Sequence, residues 1–283
     1  MNYLTKRKLT YTLVAIPALG FLTLQIIPLI YAGITAITDA QGNFSLHNIL
    51  FVLGDKLFLQ GLKYNIIIPI SSVVLEAFIG VAMAIWFYYL RRKKTFWRTV
   101  AIIPFAVPQI VYLLTMKLVF RQHGYLNSLL YNLGGADWIV NWFRPGSILS
   151  MIVIIFVDAW RVTPIVFLIV LAALEQMPES YIQAARVDGA SLWQVIRHIQ
   201  IPLVIPALLV ALSLRAVDAF RIFATPFVLM GVQGMPVLTS VAYHYKIDAN
   251  NPAAANTTAL ILAGGLFIAT ALTLFLSRKR NRI

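Results

Sequence analysis

QAARVDGASLWQVIRHIQIP, residues 183–202, decides how the rest of the chain is read. Tyr181, Ala184, Ala185 and Asp188 fall at helical spacing, and Gly189 is the residue type that most readily ends a helix in a left-handed conformation. Ser191 and Gln194 then stand at the spacing of a capping box. Leu192, Val195, Ile196 and Ile199 follow at i, i+3, i+4 and i+7, leaving Trp193, Gln194, Arg197 and His198 on the other faces. Two short amphipathic helices joined at a glycine need a partner surface. Periodicity alone leaves two candidates for it, the lipid headgroups and another protein.

Outward from this loop the composition excludes a soluble domain. Of 283 residues, 60% are hydrophobic and 12% charged, against about a quarter charged in ordinary soluble chains. The mean hydropathy is +0.82. A net charge of +13 raises nucleic acid as a partner, but the basic residues sit beside apolar runs rather than on one module, so no nucleic acid is expected. The absence of cysteine removes disulfides, thiolate nucleophiles and sulfur metal sites. The apolar run from Leu9 to Ile37 is far longer than a signal-peptide core of roughly 7–15 residues and is expected to remain as a span.

Six stretches suffice to cross a hydrocarbon core of about 20 helical residues: Tyr11–Ile37, Asn65–Tyr89, Thr99–Phe120, Ile148–Leu174, Pro202–Met230 and Thr258–Ser277. If they alternate, Lys6, Arg7, Lys8, Arg91, Arg92, Lys93, Lys94, Arg98, Arg186, Arg197, Arg278, Lys279, Arg280 and Arg282 share one side. The positive-inside rule makes that side, with both termini and the 183–202 loop, cytoplasmic. The opposite loops, Asp39 to Lys63, Arg121 to Ser147 and Gly231 to Thr257, mix Gly, Asn and aromatics as interfacial segments do, and none is large enough for a domain of its own. The chain reads as a single all-α membrane domain, 1–283. Prolines 17, 28, 69, 104, 108, 164, 206 and 226 imply kinked helices. The triplets at Asn43 and Asn256 match a glycosylation pattern short enough to arise by chance.

Ionisable residues inside the spans are Glu76, Asp158, Arg161, Arg215, Asp218 and Arg221. Charges at bilayer depth face protein or water, so they either fix packing or line a polar route. Asp158 with Arg161, and Arg215 with Asp218, are i, i+3 pairs able to neutralise themselves on one helix face. Glu76 stands isolated and is expected at a helix interface. Trp160, Phe220 and Phe223 lie near these charges, where aromatic faces can stack on a sugar ring. Enzyme chemistry finds no footing: there is no G-x-x-x-x-G-K-[ST] phosphate loop, no H-E-x-x-H, and the 4 histidines are scattered.

The 183–202 stretch resembles the cytoplasmic signature loop of permease subunits of ATP-binding-cassette importers: Glu-Ala-Ala, three residues, Gly, nine residues, Ile, any residue, Leu-Pro. Gln183 stands for the Glu and Ile201 for the Leu. Ala106-Val-Pro-Gln after Ile103-Pro104, Gly124-Tyr-Leu-Asn127, Trp160-Arg161 and Leu171-Ala-Ala-Leu-Glu-Gln-Met-Pro178 are similar to the first-permease type of carbohydrate importers for maltose-like oligosaccharides and glycerol phosphate. The likeness runs from about Asn65 to the C-terminus. After Phe220 it loosens, because FRIFATPFVLMGVQGMP only partly follows the family's Phe-Lys-x-Phe…Thr-Gly-Gly-Gly-Pro run.

The resemblance implies a type I importer permease fold of six transmembrane helices in a bacterial or archaeal inner membrane. The implied partners are a second permease, two copies of a cytoplasmic ATPase that hold ATP and Mg, and an extracytoplasmic solute-binding protein. Residues 178–202 become the coupling loop, with Gln183, Ala184, Ala185, Asp188 and Gly189 facing the ATPase. The substrate path falls at Asp158, Trp160, Arg161, Arg215, Asp218, Phe220 and Arg221, near Ile222, with no metal. In maltose-type members such positions are mostly amide, aromatic or small. Charges here suit an acidic sugar or a phosphate unless the aspartates cancel the arginines. An ion-driven secondary carrier using Asp158 or Asp218 as a relay, and a scaffold using the loop for docking, are the rival readings.

Overall fold

The computed structural model describes residues 3–39, 41–90 and 94–280, and side-chain surroundings for most of residues 11–268. Arg91, Arg92, Lys93 and Arg282 lie outside the described residues. The side chains of Lys6, Arg7, Lys8, Lys94, Arg278, Lys279 and Arg280 are likewise outside the description. Among the described residues the architecture is all-helical, with one isolated bridge, Thr38 to Phe44.

Helix α1 (Tyr3–Ala36) holds the first apolar run, and α2 (His47–Gly54) is a short helix between it and the second. Helix α3 (Lys56–Tyr89) is 34 residues long and starts nine residues before the expected span, because Asp55 caps it by accepting from the Leu57 amide at 2.9 Å. The third expected span is not one straight helix. It divides into α4 (Lys94–Ala106) and α5 (Gln109–Phe120), and the Gln109–Gly134 limb that α5 opens is bent by 89° from Thr95–Ala106. Pro108 has no N–H to continue the ladder and forces Val107 away from the helical region, so the chain turns there.

Helix α6 (Tyr125–Gly134) lies in the 121–147 connection, and α7 (Ile148–Glu175) follows the Ser147 cap. The 183–202 stretch carries α8 (Glu179–Val187) and α9 (Leu192–Val195), which runs through a π-helical turn at Ile196–Gln200 into α10 (Ile201–Phe220). The fifth expected span is interrupted at residues 221–223 before α11 (Ala224–Gly234), and Gly231 at φ +72° breaks the helical path again. Helix α12 (Leu238–Ile247) lies in the 231–257 connection, and α13 (Pro252–Arg280) begins six residues before the expected sixth span. Among the described residues four helical stretches are long and apolar enough to span a membrane, or five if the bent pair at Pro108 counts as one. The described apolar part of α13, Pro252–Ile268, is shorter.

Helices α3 and α7 form the centre and share the most extensive contact of any pair. Gly80 explains their closeness: a Cβ there would stand 2.9 Å from the Val166 Cβ. Phe87, Val166, Phe167, Val170 and Leu174 pack with Val204 of α10 into one apolar cluster. A second cluster joins Ile68, Tyr112, Ile154 and Val157 to Leu229 and Met235. A third ties Phe58 to Val241, Tyr245 and Ala254. In that third cluster the Tyr245 hydroxyl donates to Asp55, and burial followed by this bond pushes its pKa above the usual phenol range.

Candidate functional site

Where α3, α7 and α10 meet, three carboxylates gather around one guanidinium. Arg215 Nε donates to Glu76 at 3.0 and 2.9 Å, Nη1 to Asp218 at 2.8 Å and Nη2 to Asp158 at 2.5 Å. Ser72 lies 2.8 Å from Asp158 Oδ2 and 3.1 Å from Glu76 Oε1, and Thr225 donates to Asp158 Oδ1 at 3.3 Å. Glu76, Asp158, Arg215, Ser72 and Thr225 are all buried, whereas the Asp218 side chain is 71% exposed.

This network revises two sequence expectations. Glu76 does lie at a helix interface, but it is ion-paired rather than isolated. The Arg215–Asp218 pair forms, yet Asp158 pairs with Arg215 and not with Arg161. The two sites are 57 residues apart in sequence, a separation that helical spacing cannot register. Packing α7 against α10 brings them together.

A cavity of about 290 Å³ opens beside the network. Asp158, Arg161, Arg215, Asp218, Arg221 and Ile222 line it as one wall, joined by Gln109, Ala219, Phe223 and Ala224. Five of the seven expected path residues therefore share a single chamber. Trp160 does not belong to it: it lines a separate apolar groove and stacks on Phe156 with ring centres 6.1 Å apart. Two residues along a helix, from Asp158 to Trp160, turn the side chain by about 200°, onto the face opposite Asp158. Phe220 is not among the lining residues either. It is half-buried, and its carbonyl, freed by the helix break, accepts from Asn65 at 3.2 Å. Phe223 supplies the aromatic face and stacks on Phe227 at 4.8 Å.

Gln109 was missed by sequence reading. It opens α5 just after the Pro108 turn, and the turn aims it at the chamber. Asn65 was missed as well: its carbonyl accepts from Leu238 N at 3.1 Å while its amide holds Phe220 O, joining α3 to the interruption after α10 and to the start of α12. Arg161 and Arg221 differ from Arg215. Among the described residues neither has a carboxylate within 4.0 Å.

The 183–202 loop lies at the other end of α7 and α10. Helix α8 closes by a Schellman arrangement, Ala190 N to Ala185 O at 2.9 Å and Gly189 N to Arg186 O at 3.1 Å. Gly189 sits at φ +79°, the left-handed conformation expected of it. The capping box is present: Ser191 N donates to Gln194 Oε1 at 2.7 Å and Gln194 N to Ser191 Oγ at 3.4 Å. Met177, Ile182 and Val195 anchor the loop, with Ala185, Ala190 and Ile199 packed against them. Gln183, Ala184, Asp188 and Gly189 are exposed, whereas Ala185 is half-buried in that anchor. The expected apolar stripe is only partly used, since Leu192 is exposed beside Trp193.

Residues 76–282 match the family described as "Binding-protein-dependent transport system inner membrane component". The chain belongs to this family. The matched stretch contains the charged chamber and the loop together. Among curated relatives, the trehalose/maltose transport system permease protein MalF of Thermococcus litoralis is 34% identical over 187 residues, 66% of this chain and 62% of its own length. The trehalose transport system permease protein SugA of Mycobacterium tuberculosis is 29% identical and covers 81% of this chain and 75% of its own. The chain thus spans under two thirds of the first relative and three quarters of the second. Its fold matches that of a chain in a bacterial transporter involved in import of the acidic polysaccharide alginate, with TM-score 0.86, 17% identity and 97% and 96% of the two chains covered. A chain of the MetNI methionine transporter matches at TM-score 0.57 and 18% identity, covering 79% and 95%.

Proposed function

We propose that this chain is the permease subunit of an ATP-driven importer that carries a sugar or sugar derivative inward by alternating access. The observation that carries the reading is the joining of chamber and loop. Helices α7 and α10 wall the charged chamber, and the same two helices continue into the exposed, glycine-closed α8–α9 segment. Displacing α8 therefore tilts both walls. The family match and the sugar-transport relatives support this reading over an ion-driven carrier or a scaffold.

In this scheme six spans are formed by α1, α3, α4 with α5, α7, α10 with α11, and α13, with both termini cytoplasmic. A second permease completes the translocation path. Two copies of a partner ATPase hold ATP and Mg and dock on Gln183, Ala184, Ala185, Asp188 and Gly189. A solute-binding protein delivers substrate to the opposite face. The substrate favoured is an anionic sugar. Arg215 is saturated by three carboxylates, so Arg161 and Arg221 are the guanidiniums left to receive a carboxylate or phosphate. Phe223 offers a ring face and Gln109 an amide for hydroxyl groups.

The complete transporter in proteoliposomes tests the reading. Uptake of a uronate-bearing sugar should require external binding protein and internal ATP, and should exceed uptake of the matching neutral sugar. Uptake by this chain without an ATPase would establish the secondary carrier instead.

A further inference from the structure

The fifth apolar stretch is broken at residues 221–223, and the break lines the charged chamber through Arg221, Ile222 and Phe223. A helix interrupted at membrane depth leaves carbonyls that lipid cannot satisfy. Two of them are met by residues from other helices: Phe220 O accepts from the Asn65 amide of α3 at 3.2 Å, and Ile222 O from the Thr239 hydroxyl of α12. Asn65 is 2% exposed, and its own carbonyl accepts from the Leu238 amide at 3.1 Å, so the side chain is held at both ends. Tyr243 follows Thr239 at i+4 on the same face of α12, and its ring meets Phe223 at 5.8 Å and Phe227 at 5.3 Å.

The opposite face of α12 is tied down. Val241 and Tyr245 pack with Phe58 and Ala254, and Tyr245 donates to Asp55. On α3, Gly61 stands one turn before Asn65, and a Cβ there would lie 2.8 Å from Val241 Cγ2, so its absence lets α12 close on the Asn65 face. None of Asn65, Thr239 and Tyr243 is among the residues lining the chamber, yet each holds a residue of the break that lines it or adjoins it. We infer that Asn65, Thr239 and Tyr243 are positioning residues: by holding the break they keep the Arg221 guanidinium and the Phe223 ring turned into the chamber, and so set its preference for an anionic sugar. The inference rests on the transport reading of the chamber. Recognition of a carboxylate by a guanidinium needs its geometry held to about 0.5 Å, so freeing one carbonyl of the break should cost charge selectivity while the packed helices persist.

The chain has no cysteine, so Gln109→Cys places a single thiol on the chamber wall contributed by α5. In the complete transporter in nanodiscs, its modification by anionic sulfonatoethyl methanethiosulfonate and by cationic trimethylammonioethyl methanethiosulfonate is followed as a mass shift of this chain. The ratio of the two rates reads the positive field of the chamber without any substrate. Thr239→Val, which removes the hydroxyl, should lower the anionic-to-cationic ratio roughly three- to tenfold, and Thr239→Ser, which keeps it, should leave the ratio unchanged. With Arg221→Gln already present, Thr239→Val should add nothing. Tyr243→Leu, at a residue 40% exposed, should shift the ratio the same way and decides the matter if Thr239→Val fails to assemble. In uptake assays, Thr239→Val should raise the half-saturating concentration of the uronate-bearing sugar about fivefold, leaving its maximal rate and the neutral sugar unchanged. An unchanged labelling ratio, an equal fall for both reagents or an equal change for both sugars would overturn the inference. Absence of ATP-dependent uptake in the unaltered protein would instead defeat the transport reading, and the labelling ratio would still decide whether α12 holds Arg221 in the chamber.

Discussion

Arg215 has five N–H groups and meets three carboxylates, two of them buried. Removing it strands Glu76 and Asp158 without a counter-ion, and losing one partner of a buried ion pair costs about 3–5 kcal/mol. Arg215→Met should therefore lower the unfolding midpoint of the detergent-solubilised complex sharply. Asp218→Asn, at an exposed position, should cost less than about 1 kcal/mol. Equal midpoints for the two variants would show that the network does not fix the helices. Among the described residues Arg161 and Arg221 have no carboxylate within 4.0 Å, so their replacement should weaken substrate recognition rather than folding. Arg221→Gln is expected to reduce uptake of an anionic sugar roughly ten- to a hundredfold, the loss of one charge-assisted hydrogen bond, with neutral-sugar uptake nearly unchanged. A parallel fall for both sugars would remove Arg221 from the recognition of charge.

Among the helices, two glycines act for different reasons. Gly80 lets α3 approach α7, and Gly80→Leu would drive a side chain into Val166 and the Phe167 backbone. Overpacking of this kind costs about 1–3 kcal/mol, and the measurable result should be a lowered thermal midpoint with normal ATPase docking. Gly189 has open space around a Cβ but sits at φ +79°, so its constraint is conformational and not steric crowding. Gly189→Val should cost about 1–3 kcal/mol locally and uncouple ATP hydrolysis from uptake while leaving the transmembrane core intact. Full substrate-stimulated hydrolysis and uptake in that variant would defeat the coupling role of the loop. Both glycines are visible in the sequence, but only Gly189 stands in a pattern that announces its conformation. Nothing around Gly80 names the helix it touches.

For the molecule as a whole, docking of α8 and α9 on a partner depends on what that segment exposes. Gln183 lies outward where the family pattern has a carboxylate, and Ala185 is partly withdrawn into the anchor of Met177, Ile182 and Val195. Gln183→Glu should tighten association with the ATPase at low salt and lose the gain at high salt, read by co-purification across a salt series. Loss of assembly would count against an electrostatic contact there. The sequence by itself determined the membrane class, the position of four of the expected spans, the amphipathic loop, its cap and its left-handed glycine. These follow from composition and from interactions within a few residues, which local chemistry specifies. Only the tertiary structure decided that Glu76 and Asp158 join Asp218 on Arg215, that Trp160 faces away from the chamber, and that Gln109 enters it. Each of these depends on which helix faces pack together and on the bend at Pro108, and contacts between residues tens of positions apart leave no periodicity to read.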